Sequence, residues 1–407
     1  MWLRMKLAFR NTFRNVRRTA LNVLMIAGGV CTMLLFEGLV HRMVVGLRET
    51  TIKTQTGHLQ IAKEKYWAKT SKSPKETLIQ NYDAWIKHIK KNRHVTYATG
   101  RLTFFCLLTR GDRSLSAQGI SFDPQAEAKR LRSFKFISGH GLNPKRKFEV
   151  AVGSGLAKKL NIKAGQQVVL LGQTYDGVVN ALDMKVSGIF QTAISEFDDN
   201  SFIIPLVSAQ TLLDTKGVEQ IVVGLDDTSS TATVKHELTG RLNMASMGVS
   251  IRSWYWLATL YRQVSEFNRV QNVAFKFIIM SLILLSIMNT IGNSIAERTG
   301  EIGTVRAMGE KPASLIIQFL MEGMILGILG AGAGILLGTV CGQAINALKI
   351  PVVMPGASTF FYLEIDFLWS AVKEAAVISV IASAFAALIP AFRASRMNII
   401  ESLRRYV

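Results

Sequence analysis

Residues 297–311 read ERTGEIGTVRAMGEK, a charged stretch with a long apolar run on each side. Apolar runs of bilayer-spanning length, roughly 20 residues, occur at four places in the chain: 20–45, 271–295, 314–346 and 367–391. The quoted stretch therefore lies in the connection between the second and third predicted spans, at 296–313. A polar segment at 46–270 separates the first two spans and is long enough to form its own core.

Charged residues on the short flanks predict the orientation of the spans. Six basic residues and no acidic residue precede the first span: Arg4, Lys6, Arg10, Arg14, Arg17 and Arg18. Lys and Arg accumulate on the cytoplasmic side of short flanks. We therefore expect both termini, including the tail 392–407, and the connection 296–313 to be cytoplasmic. The segment 46–270 and the short loop 347–366 then lie on the other side.

The segment 46–270 has the pattern of a mixed α/β domain. Alternating or β-branched runs such as RLTFFCLLTRG at 101–111 are typical of strands, and NYDAWIKHIKKN at 81–92 has helical spacing. The helix–turn–strand pattern SGLAKKLNIKAGQQVVLL predicts an inserted β-rich lobe at about 124–200. The predicted fold class is an α-helical membrane protein with four transmembrane helices and a large extracytoplasmic α+β domain between the first two.

This domain contains no motif that predicts catalysis or metal binding. It lacks HExxH, its histidines lack metal-ligand spacing, and the acidic run EFDDN at 196–200 lacks EF-hand spacing and is best interpreted as a solvated loop. The segment 46–270 has 31 Lys and Arg against 19 Asp and Glu. Such a basic surface suits anionic lipid head groups or plain solvation, and both interpretations stay open. We expect no nucleic-acid partner.

The stretch 297–311 has the pattern of a short helix. Three apolar residues recur at three-residue steps: Ile302, Val305 and Met308. Four charged residues cover the remaining surface of the helix: Glu297, Arg298, Glu301 and Arg306. Gly309 and Pro312 predict the end of this helix and the start of the third span. Such a helix could receive movement from a soluble partner or rest on lipid as a connector, and spacing alone favours neither.

The third span carries a row of glycines at four-residue steps. They are Gly330, Gly334, Gly338 and Gly342. Small residues at this spacing let another helix approach closely, so we expect a packing role.

Ionisable residues occur inside the predicted spans. They are Glu37, Lys276, Glu322, Lys373 and Glu374. All except Glu322 lie at similar depth towards the outer end, and an unpaired charge in hydrocarbon costs roughly 2.5–3.5 kcal/mol even on a lenient scale. We therefore expect Lys276 to pair with Glu37 or Glu374 at the mouth of a dimer cavity, and the pairing to change as the cavity opens. The alternative is that each charge extends separately to the interface.

Several stretches together resemble one protein family. The stretch MNTIGNSIAERTGEIGTVRAMGEKPASLIIQFLMEGMILGILGAGAGILLG at 288–338 resembles the signature region of the FtsX-like permease family, which includes the MacB and LolC/LolE transporters. IPAFRASRMNIIESLRR at 389–405 is similar to the ending of that family, except that Ile399 stands where proline is usual. TGHLQI at 56–61 and GSGLAKKLNIKAGQQVVLL at 153–171 resemble parts of its external domain.

The resemblance implies a transmembrane permease subunit of a type VII ABC transporter in the bacterial inner membrane, with a MacB-like periplasmic domain. The connection 296–313 would be the coupling helix that contacts a cytoplasmic ATPase dimer. A second permease copy or a paralogue would complete the membrane part. Because the chain lacks GxxxxGK[ST], we expect ATP and Mg²⁺ on a separate ATPase, and no cofactor or catalytic residue in this chain.

The first 18 residues have an apolar and a basic stripe. The apolar stripe consists of Met5, Phe9, Phe13 and Val16. The basic stripe consists of Lys6, Arg10, Arg14 and Arg17. A helix of this kind lies in the membrane interface. The resemblance implies an amphipathic helix over 1–18 that precedes the first span, and the alternative is a topology signal alone.

Three functions are compatible with the resemblance. The lack of a fused ATPase and the size of 46–270 favour a lipoprotein-releasing or lipid-handling transporter similar to LolC/LolE. The alternatives are a MacB-like exporter with a periplasmic adaptor and an FtsX-like mechanotransmitter that activates a cell-wall hydrolase. Membrane lipid and a periplasmic adaptor or lipoprotein chaperone are therefore further expected partners.

Overall fold

The computed structural model describes residues 2–68, 74–131, 134–192, 194–241, 248–353 and 360–397. Within these residues the chain forms two compact units. The first, which we call the helical unit, comprises residues up to 44, 264–351 and those from 362 onwards. The second, the α/β unit, comprises residues 45–263 and 352–361.

The helices and strands follow the chain in a simple order. The helices are α1 (Trp2–Thr12), α2 (Val16–Thr51), α3 (Glu64–Ala68), α4 (Tyr82–Ile89), α5 (Ala128–Leu131), α6 (Ser154–Leu160), α7 (Ser195–Asn200), α8 (Leu206–Leu213), α9 (Thr231–Arg241), α10 (Trp254–Leu257), α11 (Thr259–Glu297), α12 (Thr299–Ala307), α13 (Pro312–Leu348) and α14 (Trp369–Ser395). The strands are β1 (Leu59–Lys63), β2 (Val95–Arg101), β3 (Thr103–Arg110), β4 (Arg113–Phe122), β5 (Lys135–Gly139), β6 (Glu149–Gly153), β7 (Gln167–Gln173), β8 (Val179–Gln191), β9 (Ser201–Pro205), β10 (Gln220–Leu225), β11 (Val249–Ser253), β12 (Pro351–Val353) and β13 (Phe360–Tyr362).

Within the part of the chain that the structure describes, four helices, α2, α11, α13 and α14, are long and apolar enough to cross a membrane. They extend beyond the predicted spans, since α2 continues to Thr51 rather than ending near 45, and α11 begins at Thr259 rather than near 271. The added turns are polar, and hydropathy does not detect a helix that continues outside the bilayer. Within α11, Arg269 and Glu266 form an i,i+3 ion pair at 2.6 Å that supports these added turns.

The amphipathic helix predicted over 1–18 is interrupted. α1 ends at Thr12 and α2 begins at Val16, so residues 13–15 form a turn between them. The backbone carbonyl of Asn15, which directly precedes α2, accepts a hydrogen bond from the Thr19 amide. Asparagine is a favoured residue at the position just before a helix. Of the predicted apolar stripe, Phe9 and Phe13 are exposed, and their rings contact each other at a tilt, with centroids 4.8 Å apart. The side chain of Met5 lies outside the described residues.

A row of isoleucines places α11 in the helical unit. The buried residues recur at four-residue steps: Ile279, Ile283, Ile287, Ile291 and Ile295. Residues four apart share one face of a helix. This face packs in the same core cluster as residues of α2, including Ile26 and Val30.

The α/β unit contains a four-stranded sheet in the order β11-β1-β10-β2. All neighbouring strands are antiparallel, with Ile61 of β1 opposite both Ile221 of β10 and Ile251 of β11. These three side chains are buried in the main core of the unit.

A seven-stranded sheet in the order β5-β8-β6-β9-β4-β3-β7 forms the β-rich lobe. The first half of β8 pairs with β7, and its second half pairs with β6 and β5, so the sheet closes on itself. The lobe therefore extends from Thr103 to Pro205, beyond the predicted limits of 124–200. The β3–β4 hairpin belongs to it because β4 pairs in parallel with β9, with Ile120 opposite Ile203, and local sequence patterns do not reveal such distant pairing.

Candidate functional site

The charged stretch between the second and third spans forms a short helix of its own. α11 ends at Glu297, Arg298 intervenes, and α12 begins at Thr299 and ends at Ala307. Gly309 has a φ of 95°, a left-handed conformation that suits a residue just past a helix end. Pro312 then begins α13, where a missing amide hydrogen is tolerated.

Three charged residues of this stretch, Glu297, Arg298 and Glu301, form ion pairs within the chain. Arg14 Nη1 lies 2.8 Å from Glu301 Oε1, and Arg298 Nε lies 3.3 Å from Glu301 Oε2. Arg18 pairs with Glu297. The hydrogen bond from Arg14 is the main cause that holds the pKa of Glu301 below its usual value. The turn between α1 and α2 is therefore fixed to α12.

The pairing continues to α13 through Glu322. Its carboxylate oxygen Oε1 accepts from Asn11 Nδ2 at 3.1 Å and from Arg298 Nη1 at 3.4 Å. Glu322 is buried, and Gln318, one turn earlier in α13, is a hydrogen-bond partner within its own span. Its other partners come from α1 and from the junction before α12, because a side chain in a helix meets neighbours from other elements as well as from its own turns. We call Asn11, Arg14, Glu301, Arg298 and Glu322 the α12 network.

The predicted apolar stripe of α12 does not face one surface. Ile302 is buried in the core of the helical unit, whereas 37% of Val305 and 75% of Met308 is exposed. Steps of three residues fall short of a helical turn of 3.6 residues, so the stripe winds around the helix. Arg306 Nη1 donates to the carbonyl of Met397 at 2.7 Å. The exposed apolar surface of this region is thus formed by Val305 and Met308.

The glycine row of the third span faces α2. A Cβ atom on Gly334 would lie 2.6 Å from Val30 Cβ and 2.8 Å from the carbonyl oxygen of Ala27. A Cβ on Gly330 would lie 2.5 Å from Ile26 Cβ. The two helices therefore approach so closely that a side chain larger than hydrogen does not fit at either position.

The contact loosens towards the end of the row. A Cβ on Gly338 would lie 3.1 Å from Leu34 Cδ1, and one on Gly342 would lie 3.7 Å from Leu35 Cδ2. The earlier glycine Gly327 faces α14 instead, since its Cβ would lie 2.9 Å from Ser383 Cβ.

Three of the predicted intramembrane charges come together. Lys276 Nζ lies 2.6 Å from Glu374 Oε1 and 3.3 Å from Glu37 Oε2, so one ammonium group joins α11, α14 and α2. Lys373 is exposed and has no ion-pair partner among the residues that the structure describes. A change of pairing as a cavity opens stays a prediction.

Polar contacts that the sequence did not reveal link other helices. Asn22 Oδ1 of α2 accepts from Thr290 Oγ1 of α11 at 2.8 Å. In the second half of α2, His41 Nδ1 lies 2.9 Å from Oδ2 of Asp366, in the segment before α14. The sequence signal for the contact between Asn22 and Thr290 is the position of Asn22 within an apolar run, because a buried amide in a membrane needs a hydrogen-bond partner.

The acidic run at 196–200 is not a solvated loop. It lies in α7, and Asp198 is buried, with its carboxylate accepting from the Thr192 amide at 2.9 Å and from Thr192 Oγ1 at 2.8 Å. Among the described residues, no group of three or more His, Cys, Asp and Glu side chains could hold a metal ion.

Two family models match the chain. The model described as FtsX-like permease C-terminal matches residues 273–399, and the model described as MacB-like periplasmic core domain matches residues 19–241, more than half of the chain. The periplasmic region of MacB from Actinobacillus actinomycetemcomitans aligns with a TM-score of 0.38 and 13% identity, over 53% of this chain and 98% of that chain.

Full-length relatives agree with these matches. The lipoprotein-releasing system transmembrane protein LolE of Haemophilus influenzae is 25% identical over 343 residues, which cover 79% of this chain and 80% of the relative. LolC of Xylella fastidiosa is 24% identical over 73% of this chain and 75% of the relative. The macrolide export ATP-binding/permease protein MacB of Nitrobacter winogradskyi is 27% identical over 63% of this chain, which spans only 41% of that relative.

The matched regions coincide with the architecture described above. The MacB-like match contains the β-rich lobe and most of the four-stranded sheet, and the FtsX-like match contains α12, α13 and α14. The predicted fold class and family are therefore confirmed. The chain is a membrane protein that belongs to the FtsX-like family of ABC transporter permeases and carries a MacB-like periplasmic core domain between its first two spans.

Proposed function

We propose that this chain is the permease subunit of a type VII ABC transporter that releases lipoproteins from the bacterial inner membrane. In this proposal a separate ATPase dimer, with its ATP and Mg²⁺, supplies the energy, and a second permease copy or a paralogue completes the membrane part. The similarity to LolE and LolC over most of each relative's length supports this choice of substrate. Both termini and α12 then face the cytoplasm, in agreement with the basic flanks.

The geometry of α12 is the observation that carries the proposal. The α12 network fixes the helix to α1 and α13, so the helix cannot shift without moving them. Val305 and Met308 remain exposed and offer an apolar surface for the ATPase, and Arg306 lies beside them. ATP binding would then move α12 together with the ends of the spans that it joins. Such coupling requires the ATPase to bind the two states unequally.

The test is release from proteoliposomes that contain the chain, its ATPase and, where one exists, the paralogous permease. The substrate is a triacylated lipoprotein, and the matched control substrate has serine in place of the acylated cysteine. We expect ATP-dependent transfer of the acylated form alone to a soluble lipoprotein carrier. Retention of the acylated protein in a system whose ATPase is active would refute lipoprotein release.

The MacB-like match to residues 19–241 supports a second candidate, a MacB-like exporter that works with a periplasmic adaptor. The same proteoliposomes discriminate the two functions. An exporter would move a macrolide across the membrane and leave the acylated lipoprotein in place. An FtsX-like mechanotransmitter would move neither substrate and would activate a cell-wall hydrolase.

A further inference from the structure

A buried charge cluster lies in the α/β unit where α2 ends. Arg101, Glu127 and Arg130 are each at most 3% exposed. Arg101 Nη2 and Arg130 Nη1 each lie 2.7 Å from the same oxygen, Glu127 Oε2. We call these three residues the arginine clamp. A buried cluster of this kind needs further partners, because two positive charges face one negative charge.

Those partners are backbone carbonyls of the π-helical turn Ile52–Thr56, which directly follows α2. Arg130 Nε donates to the carbonyl of Lys53 at 2.5 Å, and Arg101 Nη1 donates to the carbonyl of Gln55 at 2.9 Å. The last carbonyls of a helix have no partner within the helix and carry the negative end of its dipole. The excess positive charge of the clamp is therefore matched to the end of α2.

Neighbouring contacts hold the same turn. Gln60 Nε2 donates to the carbonyl of Thr56 at 2.9 Å. Ile52 is buried in a small cluster with Trp254, the first residue of α10, and Ala258, which directly precedes α11. The π-helical turn after α2 and the residues before α11 are thus fixed by one set of contacts.

The clamp also connects the two sheets of the α/β unit. Arg101 is the last residue of β2 in the four-stranded sheet, and Phe122 is the last residue of β4 in the seven-stranded sheet. The guanidinium groups of Arg101 and Arg130 lie over the ring of Phe122, 4.5 Å and 4.9 Å from its centroid. Cation–π contacts of this kind are stronger away from water.

We propose that the arginine clamp is the joint that makes the π-helical turn at the end of α2 move as one body with both sheets of the α/β unit. The inference rests on the proposed function, since it assigns to these positioning residues the transfer of movement from α2 to the domain. A merely stabilising cluster would behave differently. Buried ion clusters can be replaced by apolar residues of similar size without loss of stability, but apolar side chains cannot donate to the carbonyls of Lys53 and Gln55.

The first test separates the joint from stability in the full chain in nanodiscs. The triple variant Arg101→Met, Glu127→Leu, Arg130→Met should unfold near the wild-type temperature, whereas Glu127→Leu alone should unfold earlier because it leaves two buried cations without a counter-ion. In the triple variant, amide hydrogen exchange at 52–57 should be faster by about tenfold or more. Wild-type exchange at these amides would overturn the proposal.

Two further variants keep this test decisive. Arg146→Met removes another Arg–Glu pair at i,i+3 spacing in the same unit, at 3.0 Å, and should leave exchange at 52–57 unchanged. Arg101→Lys covers the case in which the triple variant does not fold. A single ammonium cannot donate along both directions of a guanidinium fork, so exchange near Gln55 should still rise.

The second test measures transmission directly. Two spin labels are attached at Gly46→Cys in α2 and Ser114→Cys in β4, in a background free of native cysteines, and the distance between them is measured. Both positions are exposed, and nothing lies within 4 Å of the Cβ position of Gly46. We expect a narrow distance distribution in the wild type and in Arg146→Met, a broad one in the triple variant, and loss of ATP-driven release in the triple variant alone. An unchanged distribution would overturn the joint. If the wild type releases no lipoprotein, the proposed function is wrong. The amide hydrogen exchange at 52–57 and the distance between the spin labels still test the role of the arginine clamp in that case.

Discussion

Alanine at Gly334 should destabilise the helical unit, whereas alanine at Gly332 should not. The Cβ of the first variant would lie 2.6 Å from Val30 Cβ and 2.8 Å from a backbone oxygen. Carbon atoms make favourable contact at about 3.5 Å, so α2 and α13 would have to separate by roughly 0.8 Å or more. Neither neighbouring atom can rotate away, because one is a Cβ and the other belongs to the backbone. Overpacking of this kind costs roughly 1–3 kcal/mol.

The row predicts a graded series. Gly330→Ala should resemble Gly334→Ala, because its Cβ would meet Ile26 Cβ at 2.5 Å. Gly338→Ala should cost less, since the neighbouring Leu34 Cδ1 at 3.1 Å is the end of a flexible side chain. Gly342→Ala should not destabilise the helical unit, because its Cβ would make an ordinary contact at 3.7 Å and alanine has the higher helix propensity. Gly332 has nothing within 4 Å of its Cβ position, and alanine there should gain about 0.5–1 kcal/mol of helix propensity.

Unfolding in detergent micelles measures the series. Each variant is titrated with SDS, and the helical content gives the free energy of unfolding relative to the wild type. Gly332→Ala is the matched control, because it lies on the same helix and carries the same change in helix propensity. Equal unfolding free energies for Gly334→Ala and Gly332→Ala would refute the close approach of α2 and α13.

Three further predictions concern charges. Lys276→Glu should lower the yield of folded protein severalfold because it brings three carboxylates together, and Glu374→Lys in the same chain should restore most of the yield; no restoration would contradict the pairing. Glu301→Arg should abolish ATP-driven release in proteoliposomes while the ATPase stays active, and Arg14→Glu should restore release; an active single variant would contradict the role of the α12 network. Burial raises the pKa of Glu219 above its ordinary value of 4.5, so the associated stability is fully present below pH 4.5 and is lost as the pH rises through the raised pKa. Glutamine at position 219 cannot ionise, so the difference in melting temperature between Glu219→Gln and the wild type should increase from pH 4.5 to neutral pH. A difference that does not change with pH would contradict the raised pKa of Glu219.

The parts of the fold that the sequence predicts depend on local physics. Each span needs a run of apolar residues, and hydropathy alone located the four long helices. The contact of Lys276 with two carboxylates was foreseeable for the same reason, since a charge in hydrocarbon needs a partner. Glu37 and Glu374 were the acidic residues at matching depth, so few alternatives existed.

The remaining features depend on contacts between distant residues. Arg14 and Glu301 are 287 positions apart, and an exposed pattern on α12 gives no sign of a partner in the turn before α2. The isoleucine row of α11 is visible at four-residue steps, but lipid-facing positions of a span are equally apolar, so the buried face could not be identified. The closure of the β-rich lobe depends on pairing of β4 with β9, which periodicity within either strand does not encode.

The helices of the helical unit are joined by two kinds of contact that respond differently to movement. α13 meets α2 and α14 through glycines that touch backbone and Cβ atoms, and such contacts lose their dispersion energy when the helices separate. α11 packs its isoleucine face in the same core as α2, but its other contacts, through Lys276, Thr290 and Glu297, are polar and can exchange partners or bind water without opening a void. α12 follows α11 after a single residue. A push on α12, which the α12 network ties to α13, would therefore move α13 and α2 together because their glycine contacts cannot yield, whereas the polar contacts of α11 can exchange partners during the movement. The proposed function requires α2 to carry such movement.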